Sequence, residues 1–293
     1  MKHLTEILIT GLSWICGIIL LAGISCIIGF LIYKGAGTLN LSLIFGDTSP
    51  FDAVFLGKPV FDGFFPAVIG TCFLVIFSVS TAIPIGIASG IWLSEYAGRK
   101  LKNIFSLFID ILAGVPSIVI GLFGFSLAVI LHKHFSNQVY PCLLISGLSL
   151  AFLVIPYIIR STQISLENIG HVIRITAPAL GATKLQNIFY VLIPKALPDI
   201  LSGIILAVGR CAEDTAVIML TGVVATAGIP KSLLSNYEAL PFYIYYISSQ
   251  YADQHELATG YGASLILIFI CACLFLTAFL IQKGLSYNAF YRA

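Results

Sequence analysis

Residues 201–224 read LSGIILAVGRCAEDTAVIMLTGVV, a membrane-length apolar stretch with Arg210, Glu213 and Asp214 near its middle. Each such charge costs about 3 kcal/mol at the centre of a spanning helix. Three together mark either a task or a structural pair. On a continuous helix, positions i, i+3 and i+4 share one face. The spacing therefore predicts that Arg210 pairs with its own acids and that all three line one cavity. Gly203 and Ala207 extend that face toward the N-terminus, and small residues admit a neighbouring helix or a solute. A self-neutralising ion pair that fixes a helix–helix contact is the alternative; a pathway for a polar solute is the preferred reading.

The rest of the chain agrees with a membrane setting. Apolar residues make up 59% of its 293 positions and charged residues 10%, with a mean hydropathy of +1.02. Soluble domains carry about 25% charged residues. The expectation is an all-α, polytopic membrane protein forming one domain over residues 1–293. A net charge of +2 gives no reason to expect nucleic acid, and lipid is the expected surround. The seven cysteines sit in apolar segments without CxxC pairs, so neither disulfides nor a metal is expected.

A bilayer core needs about 20 apolar residues per helix. Six stretches qualify, at roughly 11–33, 66–93, 104–131, 140–160, 198–224 and 261–283. Lys2 and His3 precede the first, which is too long for a signal-peptide core and is read as a retained anchor. With the N-terminus inside, ten basic residues fall on the cytoplasmic side, from Lys2 to Arg292, and four (Lys34, Lys58, Lys133, Lys231) on the outer side. That bias predicts a multi-pass protein with both termini cytoplasmic.

Three segments lie between spans. Residues 34–65 are rich in turn formers, among them Gly46, Pro50, Gly57 and Pro59. Residues 225–260 carry Tyr237, Phe242, Tyr243, Tyr245, Tyr246 and Tyr251, more aromatics than interfacial anchoring needs. Part of that loop is expected to pack on another protein. Residues 161–197 are too apolar for a solvated cytoplasmic linker. Ile164 to Leu180 form one apolar run, Gly181-Ala182-Thr183 interrupts it, and Leu185 to Leu192 form a second, closed by Pro194. The pattern predicts two short helices with a glycine break and a ridge for a partner.

That segment carries a resemblance. Ala179-Leu180-Gly181-Ala182, followed by Val191, Ile193 and Pro194, resembles the cytoplasmic coupling motif of ABC-importer permeases, with the family's spacing between Gly181 and Pro194. The family's acidic position falls on Ile175, and Thr176 and Ala177 stand where its alanines would be. Docking to an ATPase is implied; a Glu contact to it is not. Residues 64–97 and 114–124 (GVPSIVIGLFG) resemble the second and third spans of phosphate-specific permeases. With GRCAEDTAVIMLTG and ALPFYIYYISSQYADQ, the chain is similar end to end to phosphate permeases of the PstA type.

The resemblance implies the type I ABC-importer architecture in a bacterial inner (plasma) membrane. It implies a second homologous permease, two cytoplasmic ATPase subunits holding ATP and Mg, and a periplasmic or extracellular phosphate-binding protein. It also implies that an Arg and a nearby acid in the fifth span take part in phosphate passage. Arg210 and Thr215 match the family pattern, Glu213 replaces its glycine and Asp214 takes its Glu position; which acid acts stays open. Chemistry agrees with this. A guanidinium offers a planar fork to an oxyanion, and a carboxylate can accept the proton that phosphate still carries while repelling sulfate. Gly114, Pro116, Gly121 and Gly124 are read as close helix packing with a kink. Asp110 is read as a snorkelling or capping residue.

No GxxxxGK[ST] cradle and no nucleophile constellation occurs in the chain. Enzymatic activity is not expected, and no cofactor is expected in this chain. A permease for sulfate or molybdate is the nearest alternative. An ion-coupled secondary transporter is a more distant one, since no inverted repeat is visible.

Overall fold

The computed structural model describes residues 2–55, 58, 60, 63–134 and 140–291. Gly57, Pro59 and Arg292, counted above among turn formers and basic residues, lie outside them. The described chain is helical: α1 (Lys2–Gly35), α2 (Leu41–Phe45), α3 (Pro50–Phe55), α4 (Phe65–Glu95), α5 (Arg99–Ala113), α6 (Ser117–His134), α7 (Leu143–Glu167), α8 (His171–Ala179), α9 (Lys184–Asn187), α10 (Ile193–Glu213), α11 (Ala216–Thr221), α12 (Leu240–Gln250) and α13 (Gln254–Tyr291). Six helical stretches are long and apolar enough to cross a membrane: Thr5–Thr38, Phe65–Glu95, Ser117–His134, Leu143–Glu167, Lys184–Glu213 and Gln254–Gly284. The protein is a multi-pass membrane protein.

The bundle is built around α7, which is buried along most of its length, from Leu143 through Val154 and Ile158 to Leu166. Helix α4 lies against it at two glycines. A Cβ on Gly86 would sit 2.6 Å from Ile158, and one on Gly90 2.6 Å from Thr162 and 2.8 Å from the Ile159 carbonyl. Only a bare backbone permits that approach, the usual device of membrane helix pairs. Helix α10 packs on α7 in the same way, since a Cβ on Gly203 would meet Ser161 at 2.2–2.3 Å.

The apolar run expected to form one span over 104–131 is two helices. It breaks at residues 114–116. Gly114 caps α5, its N–H donating to Asp110 and Ile111 carbonyls, and Pro116 starts the next turn, where its missing N–H costs nothing. Helix α5 then turns to α7. Arg160 donates Nε to Asp110 Oδ1 at 2.8 Å and Nη2 to Oδ2 at 2.5 Å, and Tyr157 Oη donates to the Ala113 carbonyl at 3.4 Å. Asp110 is thus neither a snorkelling nor a capping residue but one half of a bidentate ion pair. Gly121 and Gly124 behave as packing glycines: a Cβ on the first would lie 3.1 Å from Ala216 and Val217 backbone, and one on the second 2.2 Å from Ser149 Oγ. Helix α6 fits between α7 and α11.

The segment 161–197 also departs from expectation at its second half. Helix α8 ends in a Schellman motif: Gly181 takes φ +90°, Ala182 N–H reaches the Ala177 carbonyl at 3.1 Å, and Gly181 N–H the Pro178 carbonyl at 2.9 Å. A reciprocal capping box between Thr183 and Gln186 opens α9. From there the helix does not stop at Pro194. It widens into a π segment, Ile188–Leu192, and continues as α10. Proline inside an α-helix clashes with the carbonyl four residues back; the looser turn before Pro194 leaves room for that ring.

At the far end from α8, the chain after α11 folds back on the bundle. Gly222, at φ +142°, passes so close to the start of α7 that a Cβ would lie 2.4 Å from Cys142 N. Leu143 and Leu144 N–H groups reach the Ser235 and Leu233 carbonyls at 3.1 and 2.7 Å. The aromatic loop is therefore partly core. Tyr237 is wholly buried and Tyr243 packs edge-on against Phe64 at 4.6 Å. Tyr245, Tyr246 and Tyr251 stay exposed.

Candidate functional site

Along α10 the small residues and the charges take different faces. Ala196, Ile200, Gly203, Ala207 and Cys211 are buried. Ser202, Leu206, Gly209, Arg210 and Glu213 line a cleft of about 550 Å³ with Tyr157 of α7 and Phe275 of α13. Gly203 and Ala207 thus pack inward instead of bordering the charged face. Gly209 gives the cleft its width, because a Cβ there would meet the Phe275 ring at 2.5 Å.

The three charges do not share a face either, because the helix stops. Helix α10 ends at Glu213, and Asp214 is extended, with ψ 113°. Its Oδ1 accepts the Val217 N–H at 2.9 Å, the bond an N-cap makes. Asp214 is 8% exposed and spends its carboxylate on starting α11. Thr215 stands at the head of that short helix without a side-chain capping bond. Arg210 and Glu213 come together: Nη1 lies 3.6 Å from Oε1, with side chains 44% and 66% exposed. That distance is an ion pair without a formed hydrogen bond. Both side chains open onto the cleft.

Among the coupling residues expected from the sequence, Ala179 ends α8, and Leu180 projects from the Schellman corner at 85% exposure. Gly181 makes the corner possible, since a left-handed φ costs other residues about 1–2 kcal/mol. Val172, Ile175 and Leu185 are exposed nearby, so an apolar ridge surrounds Leu180. Ala182 closes the corner. Pro194 lies beyond the π segment, inside the first turn of α10, and belongs to the span. Tyr157, Ser202 and Phe275 were not foreseen as cleft residues, nor Arg160 as more than a surface charge. A tyrosine three residues before an arginine in a span was the available signal.

Six crossings, a fifth span broken at Asp214 and a cleft carrying Arg210 and Glu213 make this a multi-pass membrane protein with charge inside its bundle. Residues 82–287 match the family described as binding-protein-dependent transport system inner membrane component, and the chain belongs to that family. The phosphate transport system permease protein PstA of Haemophilus influenzae is 33% identical over 280 residues, covering 94% of both chains. PstA of Pasteurella multocida is 30% identical over 265 residues, 89% of this chain and 85% of its own. A probable ABC transporter permease of Bacillus subtilis, YqgI, is 26% identical over 96% of this chain and 98% of its own. In fold, the chain resembles the inward-facing MetNI methionine ABC transporter (TM-score 0.59, 18% identity, 81% of this chain and 99% of that one). An amino acid ABC transporter crystallised with histidines is also similar, with TM-score 0.52, 18% identity, and 77% and 93% coverage.

Proposed function

We propose that this chain is a permease subunit of an ATP-driven importer of inorganic phosphate. It forms the path together with a second, homologous permease. The Arg210–Glu213 pair facing an open cleft is the observation that carries the reading, and the PstA relatives at about a third identity support it. Arg210 binds the oxyanion by its fork. Glu213 accepts a hydrogen bond from the P–OH that phosphate keeps at neutral pH, which a sulfate cannot offer. Asp214, spent on the α11 cap, holds the helix break. The coupling corner at residues 179–182 faces the cytoplasm, as do both termini, and docks one of two ATPase subunits that hold ATP and Mg. A phosphate-binding protein delivers the solute to the opposite face.

The test is a comparison in the assembled complex in vesicles. Arg210→Gln lowers ATP-driven phosphate uptake about 100-fold, as about 3 kcal/mol of lost charged hydrogen bonding does, with assembly unchanged. Glu213→Gln erodes discrimination against sulfate. Asp214→Asn retains uptake, because an amide oxygen still caps, while Asp214→Ala loses about 1 kcal/mol of stability. A structural ion pair predicts instead that Arg210→Gln depletes the protein and that Arg210→Gln/Glu213→Gln restores both protein and uptake. That restoration would overturn the ligand role.

A further inference from the structure

The charged residues between α8 and the bundle form one connected unit. Arg174, in the middle of α8, places Nη1 2.7 Å from Glu95 Oε1. Glu95 is the last residue of α4 and its side chain is 9% exposed. The other guanidinium nitrogens turn to the end of α7: Nη2 donates to the Leu166 carbonyl and Nε to the Ile169 carbonyl at 3.2 Å. Carbonyls at a helix end lack the next turn's N–H groups; the Leu166 carbonyl accepts the Ile169 N–H at 3.2 Å and Arg174 as a second donor. One side chain therefore holds α8 to the ends of α4 and α7 at once. Those two helices are themselves in close contact at Gly86 and Gly90.

The main chain of the same residue leads elsewhere. The Arg174 carbonyl accepts Asn187 Nδ2 at 2.9 Å. Asn187 is buried and ends α9, directly before the π segment that runs into α10. The two walls of the charged cleft hang from these two attachments: α7 carries Tyr157, and α10 carries Arg210 and Glu213.

We propose that Arg174 is a fork that divides a displacement of α8 between the two walls of the solute cleft. Its side chain carries the motion to α4–α7, and its backbone carries it to α10. Arg174 is a positioning residue, since it lies outside the charged cleft and acts through α4, α7 and α10. The proposal rests on the importer reading above. Lys184 adds a second tie to the same point, its Nζ donating to the Glu95 carbonyl at 2.5 Å while lying 4.2 Å from the Tyr96 ring centroid.

The experiment uses the whole complex in vesicles, reading assembled complex, ATP hydrolysis and phosphate taken up per ATP hydrolysed. Arg174→Lys keeps the charge toward Glu95 and loses the two carbonyl bonds; Glu95→Gln keeps a hydrogen bond and loses the charge. Each is expected to assemble, to hydrolyse ATP, and to move about tenfold less phosphate per ATP, a coupling loss of ordinary size. A residue that only caps α7 would lower the amount of complex and leave uptake per ATP unchanged, and that result overturns the proposal. In a background lacking the native cysteines, Glu95→Cys/Arg174→Cys bridged by a bifunctional thiol reagent should regain coupling relative to the unbridged protein. A bridge that forms without recovery also overturns it. Failure of the importer reading is distinct, because the unmodified complex would itself show no ATP-dependent phosphate uptake.

Discussion

The two ends of this bundle are held by different chemistry. At the α8 end, long charged side chains do the joining: Arg174 to Glu95, and Lys102 of α5 to Glu167 of α7 at 2.9 Å. At the opposite end, main-chain N–H groups do it. Leu143 and Leu144 bond to the 233–235 loop, Val224 N–H bonds to the Tyr237 carbonyl at 3.0 Å, and Leu240 N–H to Thr71 Oγ1 at 3.0 Å. Even the acid there, Glu238, is spent on main chain, its Oε1 accepting Ala227 and Gly228 N–H at 2.9 and 2.7 Å. The side-chain pairs join one helix to another, whereas the main-chain bonds pin a loop to helix starts and fix its register.

The largest effect should come from wedging the fixed end. A Cβ on Gly70 of α4 would sit 2.0 Å from the Glu238 carbonyl. Gly70→Ala should cost at least about 3 kcal/mol, the upper range for overpacking, seen as a large drop in melting temperature in detergent. Gly170, at the α8 end, has nothing within 4 Å of the same position, and Gly170→Ala should melt within about 0.5 kcal/mol of the parent. Equal losses at the two sites would erase the distinction between the ends.

Gly181→Asp comes next. The left-handed φ strains any side chain there by about 1 kcal/mol, and the new charge stands beside the exposed Leu180. Phosphate-dependent ATP hydrolysis should fall with the chain still in the membrane; undiminished stimulation would remove the corner from the coupling surface. Lys102→Ala should be milder. It breaks a half-exposed ion pair worth about 0–1 kcal/mol, so melting should shift little, and 1 M salt should abolish even that difference. The smallest effect concerns Glu238, whose carboxyl burial pushes above the usual range against two stabilising N–H bonds. The folded protein then holds a proton longer than the unfolded chain as pH rises. Stability should fall between the ordinary carboxylate pKa and the raised one, then level off. Glu238→Gln should flatten that slope, measured by melting from pH 4 upward; an unchanged slope would assign it to another group.

Much of this was legible in the sequence. Composition and run length reached the membrane class and six crossings, and the Gly181-Ala182-Thr183 break named the corner before α9. The local failures share one cause. Face arithmetic assumes an unbroken helix, and Asp214 leaves the helix to cap the next one, so the i, i+4 pairing with Arg210 never forms. Gly203 and Ala207 illustrate the same weakness more gently, since a stripe of small residues was assigned to the charged face and packs on the α7 face. The break before Pro116 was readable, because a residue before proline is biased away from helix. Glu95 as the partner of Arg174 was not, since 79 positions separate them and nothing local links the two.

The π segment at Ile188–Leu192 has a further geometric meaning. Each wide turn takes up about one residue more than an α-turn, so α10 emerges rotated by about 100° from where a straight continuation of α9 would aim it. The azimuth of Arg210 around its helix is thus set about twenty positions earlier, at the mouth of the span. The same five residues that make room for Pro194 therefore also set the direction in which the charged face of α10 meets the cleft.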